Sequence, residues 1–432
     1  MNEEVAAADT APVHARALFP VVRWTDTAGV PQQARWRSPA GHAAPTKLVL
    51  TDDTMKADTA YRLARQGCGL LWQGDYASAR HMVQALERRA IAQGAQGAQG
   101  AQGAQGAQRE RSDGRLAATP SGSASTLPSP PSATDSAAAA FIAHRARQHL
   151  RRQVTSAVLL HLDVDHTLAL RRAPDVRAAS QQVHGMVDEP YVTSLRELLG
   201  CISAHEWRKN GVPVAALKAS IHPHHGVFSP VRGEYVDLVA KTKLPAAAKP
   251  ARAVDVGTGT GVLAAVLAQR GLWVTATDTS AAALACATEN LVRLGLSERV
   301  AVVACDLFPK GRAGLLVCNP PWLPAPASAN TTGLEAAVYD PDSRMLRGYL
   351  QGLRAHLAPG GEGWLILSDL AEHLRLRTRE ELLGWVAAGG LQVLGRVDTR
   401  PVHPKAANKA DPLHAARAAE VTSLWRLGAA PV

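Results

Sequence analysis

Val254-Asp255-Val256-Gly257-Thr258-Gly259-Thr260-Gly261 is the stretch on which the reading of this chain turns. An apolar run carrying an acid ends in a glycine-rich turn, and Val262 to Arg270 continues at once as a helical pattern. A parallel strand feeds a helix in this way through a loop whose bare backbone lets a nucleotide come close. The loop alone does not discriminate among nucleotide folds, since Gly259, Gly261 and Ala264 also fit a dinucleotide-binding pattern.

A second stretch narrows the reading. Leu315 to Cys318 is a short apolar strand, and it closes in Asn319-Pro320-Pro321-Trp322. Two consecutive prolines keep the backbone extended and remove its donors, so the carbonyls of Asn319 and Pro320 are expected to face outward beside an amide side chain and an indole. On these residues the sequence resembles the class I S-adenosylmethionine-dependent methyltransferases, specifically those with an Asn-Pro-Pro-aromatic motif. They include N6-adenine methyltransferases and the glutamine methyltransferases of release factors.

The resemblance covers residues 221–432 and implies an α/β fold built on a Rossmann-like seven-stranded methyltransferase sheet, with S-adenosyl-L-methionine as cofactor. It places Gly257, Gly259 and Gly261 against the amino-acid and ribose part of the ligand and Asp255 near its ammonium end, directly or through water. Asp278, an acid about 20 residues past the loop, is placed to accept from ribose hydroxyls, and in the family the counterpart of Asp306 bonds the adenine amino group. The bland reading of each acid is a charge at a helix N-terminus. At the chemical end, the Asn319 side-chain oxygen and the Pro320 carbonyl accept from the two N–H bonds of a planar NH2 group, with Pro321 holding the turn and Trp322 stacking on the plane. Tyrosine or phenylalanine is commoner than tryptophan at that last place.

The strand–helix alternation after residue 250 supports a mostly parallel sheet with helices on both faces. Leu272 to Thr277 ends in Asp278, Val300 to Ala304 in Asp306, and Pro359-Gly360-Gly361 reads as a tight turn into Trp364 to Ser368. The last two strands, Leu391 to Leu394 and Val421 to Leu427, lack a clear intervening helix, which predicts an antiparallel pair at one edge. Before the loop, Phe228, Pro230 and Glu234 read either as a pocket-closing segment or as a helix-capping turn.

At 432 residues the chain exceeds one ordinary core. Four segments are expected: 13–90, a helical region; 91–140, a low-complexity linker of Ala-Gln-Gly triplets and a Ser/Pro/Thr/Ala tract; 141–220, a helical region completing a largely helical N-terminal domain; and 221–432, the methyltransferase domain. The triplet tract lacks large apolar side chains, so its own burial does not offset the entropy of ordering it, and disorder is expected. Residues 1–50 read as an irregular lead-in in which Trp24 and Trp36, each beside an arginine, are expected to be packing residues rather than surfaces that stack on bases. Val158 to Leu162 fits a short strand or a buried helix. Arg145, Arg147, Arg151 and Arg152 on one helix fit either a phosphate-contacting face or a solvated one.

A net charge of +10 and a pI near 9.6 suit an anionic partner, but the excess is spread along the chain and names none. The five cysteines form no CxxC pair, and His222, His224 and His225 lack a fourth ligand, so neither disulfides nor a metal site is expected. There is no apolar run long enough for a membrane span and no leader pattern, which leads to the expectation of a soluble cytoplasmic protein. The combined reading is an N-methyltransferase acting on nucleic acid (RNA or DNA) or on a protein amide. A silent S-adenosylmethionine-binding module or a small-molecule methyltransferase is the alternative, and oligomeric state is not legible. A basic loop holding Arg400, His403, Lys405, Lys409, His414 and Arg417 is a candidate substrate contact of equal standing with a solvated loop.

Overall fold

The computed structural model describes residues 19–93, 133–230, 233–248, 252–325, 333–401, 408–409 and 411–431. In its first part, β1 (Val21–Thr25), β2 (Pro31–Trp36) and β3 (Lys47–Thr51) precede α1 (Ala57–Arg65), β4 (Cys68–Trp72) and α2 (76–93). Then come α3 (Ala133–Thr155), β5 (Val158–Leu162), α4 (Arg177–His184), β6 (Tyr191–Ser194) and α5 (Leu195–Asn210). The strands form one six-stranded sheet in the order β1-β2-β6-β5-β4-β3.

That sheet corrects the expectation of a largely helical domain over 13–90 and 141–220. Helices are abundant there, yet they cover a sheet. All five residues of β4 are buried. Leu70 and Trp72 pack into one apolar cluster and Leu71 into another on the opposite face, so the strand reads as a continuous apolar run. Val158 to Leu162 is a strand, pairing parallel to β4 and antiparallel to β6. The supposed lead-in contains a hairpin: the Asp26 carboxylate accepts from the backbone N–H groups of Ala28 and Val30, both at 2.9 Å, and turns β1 antiparallel onto β2. Trp36 is a packing residue, buried with its indole N–H on the His42 carbonyl at 2.8 Å. The linker is bounded by helix up to residue 93 and again from Ala133; its remainder lies outside the described residues.

The second part opens with the hairpin β7 (Val212–Val214) and β8 (Ala219–Ile221), whose Val214 and Ile221 belong to the C-terminal core, so this core begins before residue 221. After it come α6 (Glu234–Lys241), β9 (Arg252–Val256), α7 (Val262–Gln269), β10 (Trp273–Asp278), α8 (Ala281–Arg293), β11 (Val300–Ala304) and β12 (Ala313–Cys318). They are followed by α9 (Gly333–Ala336), α10 (Arg344–His356), β13 (Leu357–Ser368), α11 (Leu370–His373), α12 (Arg379–Ala388), β14 (Leu391–Thr399), α13 (His414–Ala419) and β15 (Thr422–Ala429).

Seven strands run in the order β11-β10-β9-β12-β13-β15-β14, parallel from β11 to β13. β15 lies antiparallel between β13 and β14, so the expected antiparallel edge is present. Alternate residues of β9, β12 and β13 feed two cores: Ala253, Leu315, Val317, Trp364 and Ile366 face α6 and α7, and Val254, Leu316, Leu365 and Leu367 face α10 and α12. The Pro359-Gly360-Gly361 turn is a bulge inside β13, where the register with β12 slips. Strand order reverses between β9 and β12, and a parallel sheet opens its crevice at the carboxyl ends of such a pair.

Candidate active site

Four of the six acid and glycine positions singled out in the sequence, Gly257, Gly259, Asp278 and Asp306, and the whole Asn319 to Trp322 stretch line one cleft at that reversal. The end of β9 is tied to the end of β10: the Gly257 and Thr258 N–H groups donate to the Thr277 carbonyl at 2.9 and 2.8 Å, and the Gly259 N–H donates to the Asp278 carboxylate at 3.0 Å. Gly257 has φ +72, and a Cβ there would lie 2.7 Å from the Met345 methyl of α10, so only glycine keeps this turn open. A cleft of about 1350 Å³ lies above the loop. Its walls include Gly257, Gly259, Asp278 and Asp306 together with Asn319, Pro320, Pro321 and Trp322.

Asp255 is placed differently from the expectation that it approaches a ligand. It is 1 % exposed and lies beneath the loop, where one carboxylate oxygen accepts from the Thr258 hydroxyl at 2.6 Å and from the Ala264 N–H at 3.0 Å. It fastens the strand–loop–helix turn from below and is not part of the cleft wall; Gly261, the N-cap of α7, also lies outside that wall. Burial pushes the Asp255 carboxyl up to about 6, against the lowering effect of the two hydrogen bonds. Between about pH 4 and pH 6 the folded protein therefore holds a proton that the unfolded chain has released. Its stability is greatest below that window and falls as pH rises through it, by about 3 kcal/mol in all. Chemical denaturation of the ligand-free protein across this range should give that downward slope in the parent relative to Asp255→Asn. Identical slopes in the two proteins would rule the account out.

At the end of β12 the Trp322 indole N–H donates to the Asn319 side-chain oxygen at 2.9 Å. An indole nitrogen has only a hydrogen to give, so this bond fixes which end of the Asn319 amide faces it. Trp322 is half-buried and packs against both cores of the C-terminal sheet. Past the motif, the Leu323 N–H donates to the Val338 carbonyl at 3.2 Å and the Asp340 N–H to the Leu323 carbonyl at 2.9 Å. Asp340 is buried beneath α10, its two oxygens accepting from the Met345 and Leu346 N–H groups at 2.9 and 3.1 Å, and burial raises its pKa. Arg344, Arg347 and Gln351 of α10 face the cleft at helical spacing, a stripe that was readable in the sequence as one face of the Ser343 to Leu357 helix.

Phe228 lines the cleft, whereas Glu234 opens α6 and Pro230 lies off the wall. Two of the three histidines have structural partners: His222 Nδ1 is 2.7 Å from the Arg208 carbonyl and His224 Nε2 2.8 Å from Glu289. Among the described residues no group of His, Cys, Asp and Glu is arranged to hold a metal, and no helix is long and apolar enough to cross a membrane. In the basic loop, 402–407 and residue 410 lie outside the described residues; Arg417 lines the cleft and pairs with Asp411 at 2.9 Å. Of the arginine helix, Arg151 pairs with Glu87 and Arg152 with Glu335, and Arg145 lies 4.5 Å over the Tyr339 ring, so these three are structural contacts. Phe141 and His144 of the same helix line the cleft, which no local signal in the sequence announced.

Comparison with known proteins finds similarity in the C-terminal part of the chain. The model of the family described as the methyltransferase small domain matches residues 218–372. The chain is 33% identical over 27% of its length to a ribosomal RNA small subunit methyltransferase C of Alcanivorax borkumensis, covering 32% of that protein. It is 37% identical over 29% of its length to a release factor glutamine methyltransferase of Gloeobacter violaceus, covering 42% of it. To a tRNA1(Val) (adenine(37)-N6)-methyltransferase of Cytophaga hutchinsonii it is 30% identical over 28% of its length, covering 52% of that protein. The chain thus spans about a third to a half of the curated relatives it matches. A solved ribosomal protein L11 methylase of Lactobacillus delbrueckii subsp. bulgaricus aligns over 46% of this chain and 79% of its own at 18% identity and a TM-score of 0.32. Residues 218–372 are thus similar to the methyltransferase small domain, and the strand order, loop and motif described above are consistent with the class I S-adenosylmethionine-dependent type.

Proposed function

We propose that this chain is an S-adenosylmethionine-dependent N-methyltransferase acting on a planar NH2 group, the N6 amine of adenine in a nucleic acid or the side-chain amide of glutamine in a protein. The observation that carries the reading is that a bare glycine loop and the Asn319 to Trp322 stretch meet in one cleft, at the ends of the neighbouring parallel strands β9 and β12. The relatives named for rRNA, release factor and tRNA substrates support it.

The residues present fit the cofactor. Gly257 and Gly259 bring backbone to the cleft with no side chain in the way, and Asp278, the last residue of β10, and Asp306, just past the end of β11, offer acceptors for hydroxyl and amine hydrogens. Gly261 turns the loop into α7 and Asp255 holds it from beneath. When bound, S-adenosylmethionine supplies an electrophilic methyl on a sulfonium.

The nitrogen of an amide or an arylamine is a poor nucleophile because its lone pair is delocalised. In this reading Asn319 Oδ1 and the Pro320 carbonyl take its two N–H hydrogens, Trp322 stacks on the plane, and the lone pair is turned toward the methyl. The cofactor would supply the methyl and leave as a neutral thioether, while Asn319 Oδ1 and the Pro320 carbonyl would hold the nitrogen as it gives up one proton to water. Placement and fixed dipoles suffice, with no strong base among the groups involved. A cytoplasmic location suits five cysteines that are all free thiols.

The test has two parts. S-adenosylhomocysteine should raise the melting midpoint and NAD should not, since only a ligand bound by the folded state does so. Labelled methyl should then pass from S-adenosylmethionine into extract of cells lacking this chain. Label released by nuclease would make the substrate a nucleic acid, and label released only by protease a protein amide. Cofactor binding without macromolecular label would leave a small-molecule substrate or a silent binding module, and stabilisation by NAD alone would overturn the reading.

A further inference from the structure

Asn319 and Pro320 recognise an NH2 group and nothing of what carries it, so the choice of carrier has to come from the rest of the cleft. Most of that wall belongs to the C-terminal domain. The exception is α3, a helix whose two ends lie in different domains. Its C-terminal end is set in the N-terminal core: Val154 is fully buried there, and Arg151 pairs with Glu87 of α2. Its N-terminal end reaches the chemical end of the cleft, where Phe141 is 4 % exposed and packs with Leu323, directly after the motif, and with Leu370, Leu374 and Leu413. One turn on, the half-buried His144 faces the same cleft beside the Asp411–Arg417 pair. Arg145 over Tyr339 and Arg152 on Glu335 brace the helix against the segment that follows the motif.

We propose that α3 is the substrate-selecting wall of this cleft, with His144 as the polar contact to the group that carries the NH2 and the buried Phe141 as the residue that positions the helix against the segment after the motif. The inference rests on the methyltransferase reading above, and it assigns specificity to the N-terminal domain while the cofactor end stays wholly C-terminal. Burial holds the His144 imidazole below its ordinary value, the Arg417 guanidinium acting in the same direction and the Asp411 carboxylate against it, so a neutral ring that can donate or accept is offered to the substrate.

The experiment compares the full-length parent with His144→Ala, His144→Gln and the conservative Phe141→Leu. Affinity for S-adenosylhomocysteine is read by calorimetry. Methyl transfer is titrated with whichever fraction of the extract, RNA, DNA or protein, the parent labels. Loss of one hydrogen bond predicts a rise in KM for that fraction of about tenfold in His144→Ala, with kcat and S-adenosylhomocysteine affinity near parental and partial recovery in His144→Gln. Phe141→Leu should raise KM in the same direction. A merely structural role would lower kcat, cofactor affinity and melting midpoint together without a KM change. That pattern, or a parental KM in all three variants while the parent transfers methyl, would overturn the proposal alone. A parent that neither binds S-adenosylhomocysteine nor transfers methyl would overturn the methyltransferase reading, and this proposal with it.

Discussion

Asn319→Ala should lower kcat for methyl transfer by about 10²–10³-fold while leaving S-adenosylhomocysteine affinity within about twofold, the magnitude found when one preorganised polar group aimed at a reacting centre is removed. The side chain stands just past the end of β12, half-buried, on the cleft wall, so the substitution takes away an acceptor without altering the glycine loop. Stability should change little, because the amide makes its one identified side-chain bond to Trp322 rather than to the core. Trp322→Phe is the informative companion. It keeps an aromatic face for stacking and removes the indole N–H that orients the amide. The Asn319 side chain is then free to turn its NH2 toward the substrate, and a loss of about tenfold is expected, smaller than that of Asn319→Ala. Transfer at the parental rate by Asn319→Ala, with cofactor still bound, would remove the motif from the chemistry.

Gly314→Ala should be among the most damaging single-methyl additions in the chain. Gly314 lies where β12 and β13 slip register, and a Cβ built there would sit 1.9 Å from the backbone carbonyl oxygen of Ala247 and 2.4 Å from its carbon. Those are main-chain atoms and have no rotamer by which to withdraw. The added methyl therefore has to part β12 from the 246–248 turn, at a cost of about 3 kcal/mol or more. Gly384→Ala is the control. Gly384 is exposed in the interior of α12 with nothing near its Cβ position, so alanine there should stabilise by about 0.8–1 kcal/mol through helix propensity. Denaturant unfolding of both variants checks the pair. A Gly314→Ala midpoint equal to the parent's would mean that the close approach of the 246–248 turn is not a fixed feature of the fold.

These two glycines mark the boundary of what was legible in the sequence. The nucleotide loop, the acids at the ends of β10 and β11, the Asn319 to Trp322 stretch and the strand–helix alternation could all be read, because each is a local pattern with a local physical cause. Asp255 was read as a ligand contact because residue type and position along the strand do not say which way a side chain turns, and its hydroxyl and amide partners come from Thr258 and Ala264. The N-terminal sheet escaped because β4 is buried on both faces and so has no alternation to read, while β2, Pro-Gln-Gln-Ala-Arg-Trp, is poor in strand-forming residues and is held by its neighbours. The Asp26 to Gly29 turn between β1 and β2 was a usable signal. The reach of α3 into the cleft was not readable at all, since nothing in a helix's own residues names the distant segments it will pack against.

The six-stranded sheet has a consequence for the protein's birth. Its strands β1 to β4 leave the ribosome well before β5, which must lie beside β4, and β6, which must lie beside β2. Between Trp72 and Val158 the growing chain adds α2, the triplet tract and α3, a delay on the order of ten seconds at ordinary synthesis rates. For that interval Leu70, Leu71 and Trp72 have no partner strand on one side, and an apolar strand edge waits in the open. The sheet is therefore completed only after α3 has been made, so nascent chains of this protein should lean on chaperones more heavily than the tidy alternation of their second half would suggest.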